Sequence, residues 1–153
     1  MKSFYAYEMQ YTGKAPMIDA VQIIPFCEMY YSQYERIYNE CFYEMREALD
    51  VKPYNFYSGI EQIRDRIANI YLLMDGETII GSIACYGVEI DDLFVNKRFQ
   101  NKGYGKILLL WAMHHIRTYT NEPITIHVAE WNQRAMELYA RNGFDVVKKE
   151  KVN

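Results

Sequence analysis

The stretch Val95-Asn96-Lys97-Arg98-Phe99-Gln100-Asn101-Lys102-Gly103-Tyr104-Gly105-Lys106 decides how this chain folds and what it can hold. Upstream, Val88 to Val95 reads as a strand. Downstream, Ile107, Leu108, Leu110, Trp111 and Ile116 predict a helix over 104–119 that is apolar around much of its circumference and packs on a sheet. Gly103 and Gly105 let the backbone come close to a ligand, and the first N–H groups of the helix have no intrahelical partner. Lys97, Arg98, Lys102 and Lys106 bring positive charge to a chain whose formal net charge is −3. Strand, glycine-bearing loop and helix N-terminus together make a place for a phosphate. Taken alone, the loop fits a solvent-facing turn dressed with lysines nearly as well. Two other phosphate loops do not fit. The nucleoside-triphosphate loop needs Ser or Thr where Ile107 stands, and the dinucleotide fingerprint needs a third glycine where Leu108 stands.

Working outward, Ile70 to Met74 and Thr78 to Tyr86 read as two strands joined at Asp75-Gly76, a tight hairpin turn. Gly87 then turns the chain into the strand over 88–95, so the middle of the chain is an antiparallel meander. On the far side of the buried helix, Ile124, Ile126 and Val128 alternate as a strand. Asn132 is placed to cap a following helix, which Asn142-Gly143 stops, and Phe144 to Val147 reads as a last strand. Before the meander, Val21 to Phe26 reads as a strand. Tyr34, Ile37, Tyr38, Cys41, Phe42 and Met45 mark a helix over 31–45. Ile60, Ile63, Ile67 and Ile70 predict a second helix. The order from residue 17 is β-α-α-β-β-β-α-β-α-β, an α/β mixed sheet with helices on its faces, in one domain over 17–153. Residues 1–16 read as an N-terminal extension or an edge strand.

With 153 residues, half of them hydrophobic, the chain has enough for one domain with a real core. The charge invites neither nucleic acid nor anionic membrane. No apolar run approaches a membrane span, the N-terminus does not read as a signal peptide, and Cys27, Cys41 and Cys85 show no paired spacing. These features predict a cytoplasmic chain with idle thiols. Of fifteen tyrosines, ten crowd into the first 60 residues. Most are expected to pack half-buried, with a few lining a pocket. His114 and His115 are adjacent on a helix and His127 sits on a strand. None has metal-ligand spacing, and all three read as packing or surface residues.

The motif Gln100-x-x-Gly103-x-Gly105 resembles the Arg/Gln-x-x-Gly-x-Gly/Ala motif of the GNAT acetyltransferase superfamily. Ile90-x-x-Leu93-x-Val95 is similar to that family's fourth strand. Asn132-x-x-Ala135-x-x-Leu138-Tyr139-x-x-x-Gly143-Phe144 looks like its second cofactor motif. The resemblance covers roughly 70–147 by motif and the whole chain by element order.

It implies a GNAT-like fold that uses acetyl-CoA as cosubstrate. The pantetheine arm would lie between the strands ending near Val95 and Ala129, against Leu93, Phe94 and Val95. Backbone N–H groups of Gln100, Asn101, Lys102, Gly103, Tyr104, Gly105 and Lys106 would hold the pyrophosphate. The Val95 N–H would polarise the thioester carbonyl, Asn132 would touch the cofactor arm, and Tyr139 would be the general acid for the departing thiolate. An ammonium must lose a proton before it attacks. Glu89, eleven residues before Gln100, is the candidate base because several family members carry a glutamate there. Asp91 shares its strand face and is an alternative, as base or as a contact for a cationic acceptor, whereas Asp92 points the other way. Glu89 equally fits a solvated strand face, and Tyr139 a core position on a helix stripe.

Many family members finish with a two-strand hairpin, yet only Asp145 to Asn153 follows Phe144. Either that strand is missing, or the N-terminal segment or a partner chain supplies an edge. An open edge favours a homodimer. The expected activity is acetyl transfer to a primary amine on a small molecule. A protein N-terminal or lysine acetyltransferase and a non-catalytic acyl-CoA-binding regulatory module are the alternatives. The segment over 31–59, with Glu35, Glu40, Glu44 and Glu47, is expected to form much of the acceptor wall.

Overall fold

Alternation of Tyr7, Met9 and Tyr11 with Ala6, Glu8 and Gln10 makes Phe4–Tyr11 a strand, β1, with Met9 fully buried. In the computed structural model, which describes residues 2–153, β1 is neither an extension nor an edge. It runs antiparallel between β6 (Ile124–Ala129) and β7 (Asp145–Val152), pairing Met9 with Ile126 on one side and with Val146 on the other. The N-terminal segment thus supplies the strand that seemed to be missing. One sheet results, in the order β2-β3-β4-β5-β6-β1-β7. The remaining strands are β2 (Ile23–Pro25), β3 (Ile70–Asp75), β4 (Thr78–Tyr86) and β5 (Glu89–Val95). Every pairing is antiparallel except β5 with β6. The edges are the three-residue β2 and the eight-residue β7, and the Lys148, Lys149 and Lys151 of β7 are the kind of charge that keeps an edge from pairing with another copy.

Two hydrophobic clusters sandwich the sheet. On one face, α2 (Tyr104–Arg117) buries Leu108, Leu109, Ala112, Met113 and Ile116, and α3 (Gln133–Arg141) adds Tyr139. On the other, α1 (Tyr31–Ala48) buries Tyr34, Ile37 and Tyr38 against Leu72, Ile79 and Phe94. The tyrosines here are core residues: Tyr34 and Tyr57 are nearly inaccessible, and their rings lie 5.7 Å apart.

The second predicted helix does not form. Its isoleucines instead sit in two 3-10 turns, Ile60–Gln62 and Ile67–Asn69. The bonds there are i→i+3, as in Ile63 N–H to Ile60 O and Arg66 N–H to Ile63 O. The Arg66 guanidinium takes the Gln62 carbonyl that an α-helical bond would use (3.0 Å). Ile63 and Ile70 are still fully buried, so the apolar spacing is satisfied without the helix.

No helix among the described residues is long and apolar enough to cross a membrane. The three cysteines are free.

Candidate active site

Strands β5 and β6 pair only at Glu89 with Thr125 and Ile90 with Ile126. Beyond those rungs β5 continues to Val95 and β6 to Ala129, so the sheet splits into a gap that widens toward both C-terminal ends. The register on the other side of β5 shows which backbone groups face this gap. Gly81 lies opposite Val95, and the Asn96 N–H bonds to Ile80 O (2.8 Å). That makes Gly81 and Val95 a non-hydrogen-bonded pair, so the N–H and C=O of Val95 both turn away from β4, toward the gap. The carbonyl is occupied, accepting from Gln100 Nε2 at 2.9 Å and from the Cys41 thiol at 3.2 Å. No hydrogen bond is formed by the Val95 N–H among the described residues, so it faces the gap as a free donor.

A β-bulge produces this aim. Ala84 pairs with Asp91 and Ser82 with Phe94, so Asp92 and Leu93 together oppose Ile83. Asp92 takes a left-handed conformation, φ 50°. As a result Ile90 packs in the cluster beneath α2, while Phe94, four residues on, packs beneath α1. An unbroken strand would send both to one face. Phe94, expected against the cofactor, thus buries its ring among Tyr34, Tyr38 and Phe42. Leu93 packs toward the α2 cluster.

Asp92 is pointed inward by the bulge and accepts a hydrogen bond from Tyr38 (3.1 Å). Burial, and next the charge of Asp91, raise its carboxyl to about 6.

The loop at the wide end of the gap is held from inside. Asn96 is buried, donates to Ile79 O (3.0 Å), and accepts from the Arg98 N–H (3.2 Å). Asn101 and Gly103 have φ of 66° and 88°, which turn successive N–H groups outward before α2 begins. Among the described residues, no hydrogen bond engages the backbone N–H of any residue from Asn101 to Lys106. Arg134 of α3 reaches across to the Asn101 side chain. Gly105 faces Leu138, so the first turn of α2 abuts α3. An unpaired row of N–H groups at a helix N-terminus, with four cations nearby, is an arrangement that favours negative charge.

At the closed end of the gap the two faces differ. From the α2 side, Tyr139 is buried beside Phe144 (ring centroids 6.1 Å apart). Burial, and then the Asp91 charge, hold its phenol well above the usual tyrosine range, so it keeps its proton. From the other side come Glu89 and Asp91, half-buried and exposed respectively. Asn132 caps α3, its Oδ1 accepting from the Ala135 N–H (3.2 Å).

Three residues gain importance from the structure. His127, read as packing or surface, lies between Glu8 (3.3 Å) and Glu89 (3.8 Å). Glu8 drew no notice because His127, which it faces, is 119 residues away, although the alternation in β1 marks its face. Asp92 was read as facing the other way from Asp91, but the bulge turns its carboxylate to Tyr38 of α1, on the side of the sheet that Asp91 and Glu89 also occupy, and no glycine announces that bulge. A cavity of about 420 Å³ lies outside the gap, between α1 and Lys97, lined also by Arg36, Asn39, Glu40, Tyr43 and Asn55. It includes residues of the expected acceptor wall and none of the other predicted site residues. No group of three or more His, Cys, Asp or Glu among the described residues could hold a metal ion.

Known proteins share this architecture. The family model of the acetyltransferase (GNAT) family matches residues 28–144. A mycothiol acetyltransferase of Thermobifida fusca is 28% identical over 103 residues, which cover 61% of this chain and 29% of that protein. A GNAT-family acetyltransferase of Colwellia psychrerythraea superposes with a TM-score of 0.74 at 10% identity, over 99% of this chain and 56% of that one. The PaiA N-acetyltransferase of Thermoplasma acidophilum, solved in complex with coenzyme A, gives 0.61 at 16% identity, over 88% and 100%. The chain thus spans less than a third of its curated relative, and the two structural likenesses carry the fold. With a family match running from before α1 to beyond α3, the chain belongs to the GNAT acetyltransferase family.

Proposed function

We propose that this chain transfers the acetyl group of acetyl-CoA to a primary amine on a small molecule by direct attack. One observation carries the reading: the unpaired N–H row from Asn101 to Lys106 stands at the wide end of a split sheet whose narrow end gathers Tyr139, Glu89 and Asp91. The pyrophosphate sits on the N–H row, and the pantetheine arm runs down the gap, bringing the thioester carbonyl to the Val95 N–H.

The acceptor approaches from the face of Glu89 and Asp91, loses a proton, and attacks the carbonyl carbon. The Val95 N–H stabilises the oxygen as it gains charge. Collapse of the tetrahedral adduct breaks the C–S bond, and the Tyr139 phenol gives its proton to the thiolate. The carboxylates on this face suit an acceptor that arrives as a cation.

Thermal unfolding with acetyl-CoA, then thiol release across amine and peptide panels, tests the proposal. No stabilisation by any acyl-CoA defeats it. Stabilisation without thiol release favours a binding module, and release with peptides alone favours a protein acetyltransferase. Tyr139→Phe lowers kcat by roughly tenfold, a small effect for a general acid because a thiolate leaves readily. The acetyl-CoA thermal shift is unchanged. If affinity falls and kcat holds, Tyr139 is not the acid.

A further inference from the structure

Glu8 and His127 lie directly opposite each other on β1 and β6, and Glu89 and Thr125 are partners on β5 and β6. All four side chains therefore share the sheet face opposite α2, together with Asp91. His127 is the first residue of β6 beyond the last rung shared with β5, so its imidazole stands at the narrow end of the gap. Its two nitrogens are in different surroundings. Nε2 faces β1 and lies 3.3 Å from Glu8 Oε1, within hydrogen-bond reach. Nδ1 faces β5 and the gap, 3.8 Å from Glu89 Oε1, beyond direct hydrogen-bond reach. A carboxylate on one nitrogen selects the tautomer with the proton there and leaves the lone pair on the other. Lys148, opposite Glu8 on β7, pairs with Glu150 instead (3.1 Å), so Glu8 is left to His127.

We propose that His127 Nδ1 is the base that takes the acceptor's proton, with Glu8 as the positioning residue that fixes its tautomer. The inference rests on the acetyl-transfer reading above. The ammonium N–H bond breaks and its proton passes to Nδ1 through a chain of waters along the gap, because His127 is level with Asp91, roughly 10–13 Å along the strand from Val95. The freed electron pair forms the N–C bond, the C–S bond breaks, and the thiolate takes the Tyr139 proton. The imidazolium, with Glu8 and Glu89 on its two sides, then gives its proton to water from its exposed edge. Glu89 acts here through its charge, steadying first the ammonium and then the imidazolium. The arrangement depends on β1 being threaded between β6 and β7, since no other strand could bring Glu8 beside Nε2.

The test uses the full chain, acetyl-CoA, and the amine of the panel that gives the fastest thiol release. His127→Ala lowers kcat/KM by roughly 10²- to 10³-fold, the scale of a lost general base, while the acetyl-CoA thermal shift stays at the parent value. Added imidazole restores turnover in proportion to its concentration, which a residue with a packing role would not allow. His127→Gln, which keeps a polar side chain but cannot take a proton, is as slow as His127→Ala. Glu8→Gln lowers kcat several-fold with KM for the amine unchanged, and Glu8→Asp recovers part of the loss.

If His127→Ala or His127→Gln folds and stays within about threefold of the parent, the proposal is overturned and acetyl transfer stands. Failure of imidazole to restore turnover also overturns it. A parent chain that acetyl-CoA stabilises but that releases no thiol with any amine defeats the acetyl-transfer reading, and this inference falls with it.

Discussion

Replacing Gly103 by Val removes most of the thermal stabilisation that acetyl-CoA gives the parent chain. Gly103 has φ 88° and ψ 5°, a left-handed conformation that a β-branched residue adopts only with strain. An added Cβ would meet nothing within 4 Å, so the substitution creates no clash in the folded chain. The strain, about 1–2 kcal/mol, is relieved by turning the local backbone, which re-aims the N–H row from Asn101 to Lys106. At a concentration 100 times its Kd, a ligand stabilises the native state by about 2.7 kcal/mol, a shift of roughly 5–10 °C for a domain of this size. The variant's own midpoint falls by only a few degrees while that shift shrinks toward zero. Gly105→Ala is the milder change, because φ there is helical and the added Cβ makes ordinary contacts with Leu138 (3.6 Å) and Val95 (3.9 Å). It retains more of the shift than Gly103→Val. Equal shifts in the parent and Gly103→Val would show that the loop is not where the cofactor's phosphates bind.

The meander, the two long packing helices, the Asn132 cap and the loop before α2 could be read in the sequence because each depends on local spacing. Apolar periodicity, a hairpin dipeptide and a cap are properties of neighbouring residues. The place of β1 could not be read this way. Its alternation predicts a strand, but the two strands it pairs with lie more than a hundred residues away. The same non-local pairing hid the Glu8–His127 contact. The helix expected over 60–70 failed for a different reason. An isoleucine every three or four residues is buried equally well by two 3-10 turns, and side-chain bonds from Gln62 and Arg66 decide between them. The bulge at Asp92-Leu93 carries no glycine, so nothing local signals that Phe94 faces the core and Val95 the gap. The motif located the glycine loop before α2, but the setting of the gap beside it depends on a bulge and a strand insertion that only the folded chain reveals.

Asp92→Asn makes the chain more stable at neutral pH and leaves it unchanged near pH 4. The Asp92 carboxyl is raised from 3.8 to about 6 by burial and by the Asp91 charge, against the opposing effects of the Tyr38 hydrogen bond and of Arg66 and Arg46. A raised carboxyl binds its proton more tightly in the folded chain than in the unfolded one, so folding is favoured when the proton is on. Below about pH 4 both states are protonated and Asp92 costs nothing. As pH rises through the window from 4 to 6 the unfolded chain ionises first and stability is lost. Above about 6 the full cost stands, about 3 kcal/mol for a shift of this size. Asparagine carries no charge to desolvate, and its Oδ1 can still accept from Tyr38. In urea titrations the variant's advantage should therefore grow from nothing at pH 4 to a plateau above pH 7. An advantage that stays constant across that range would mean that packing, not ionisation, separates the two chains. A carboxylate that weakens the fold at neutral pH, at the bulge that turns the Val95 N–H into the gap, is the kind of local cost found where a site is built. If Asp92→Asn is the more stable chain and the slower one in thiol release, the charge beneath the bulge serves the reaction and not the fold.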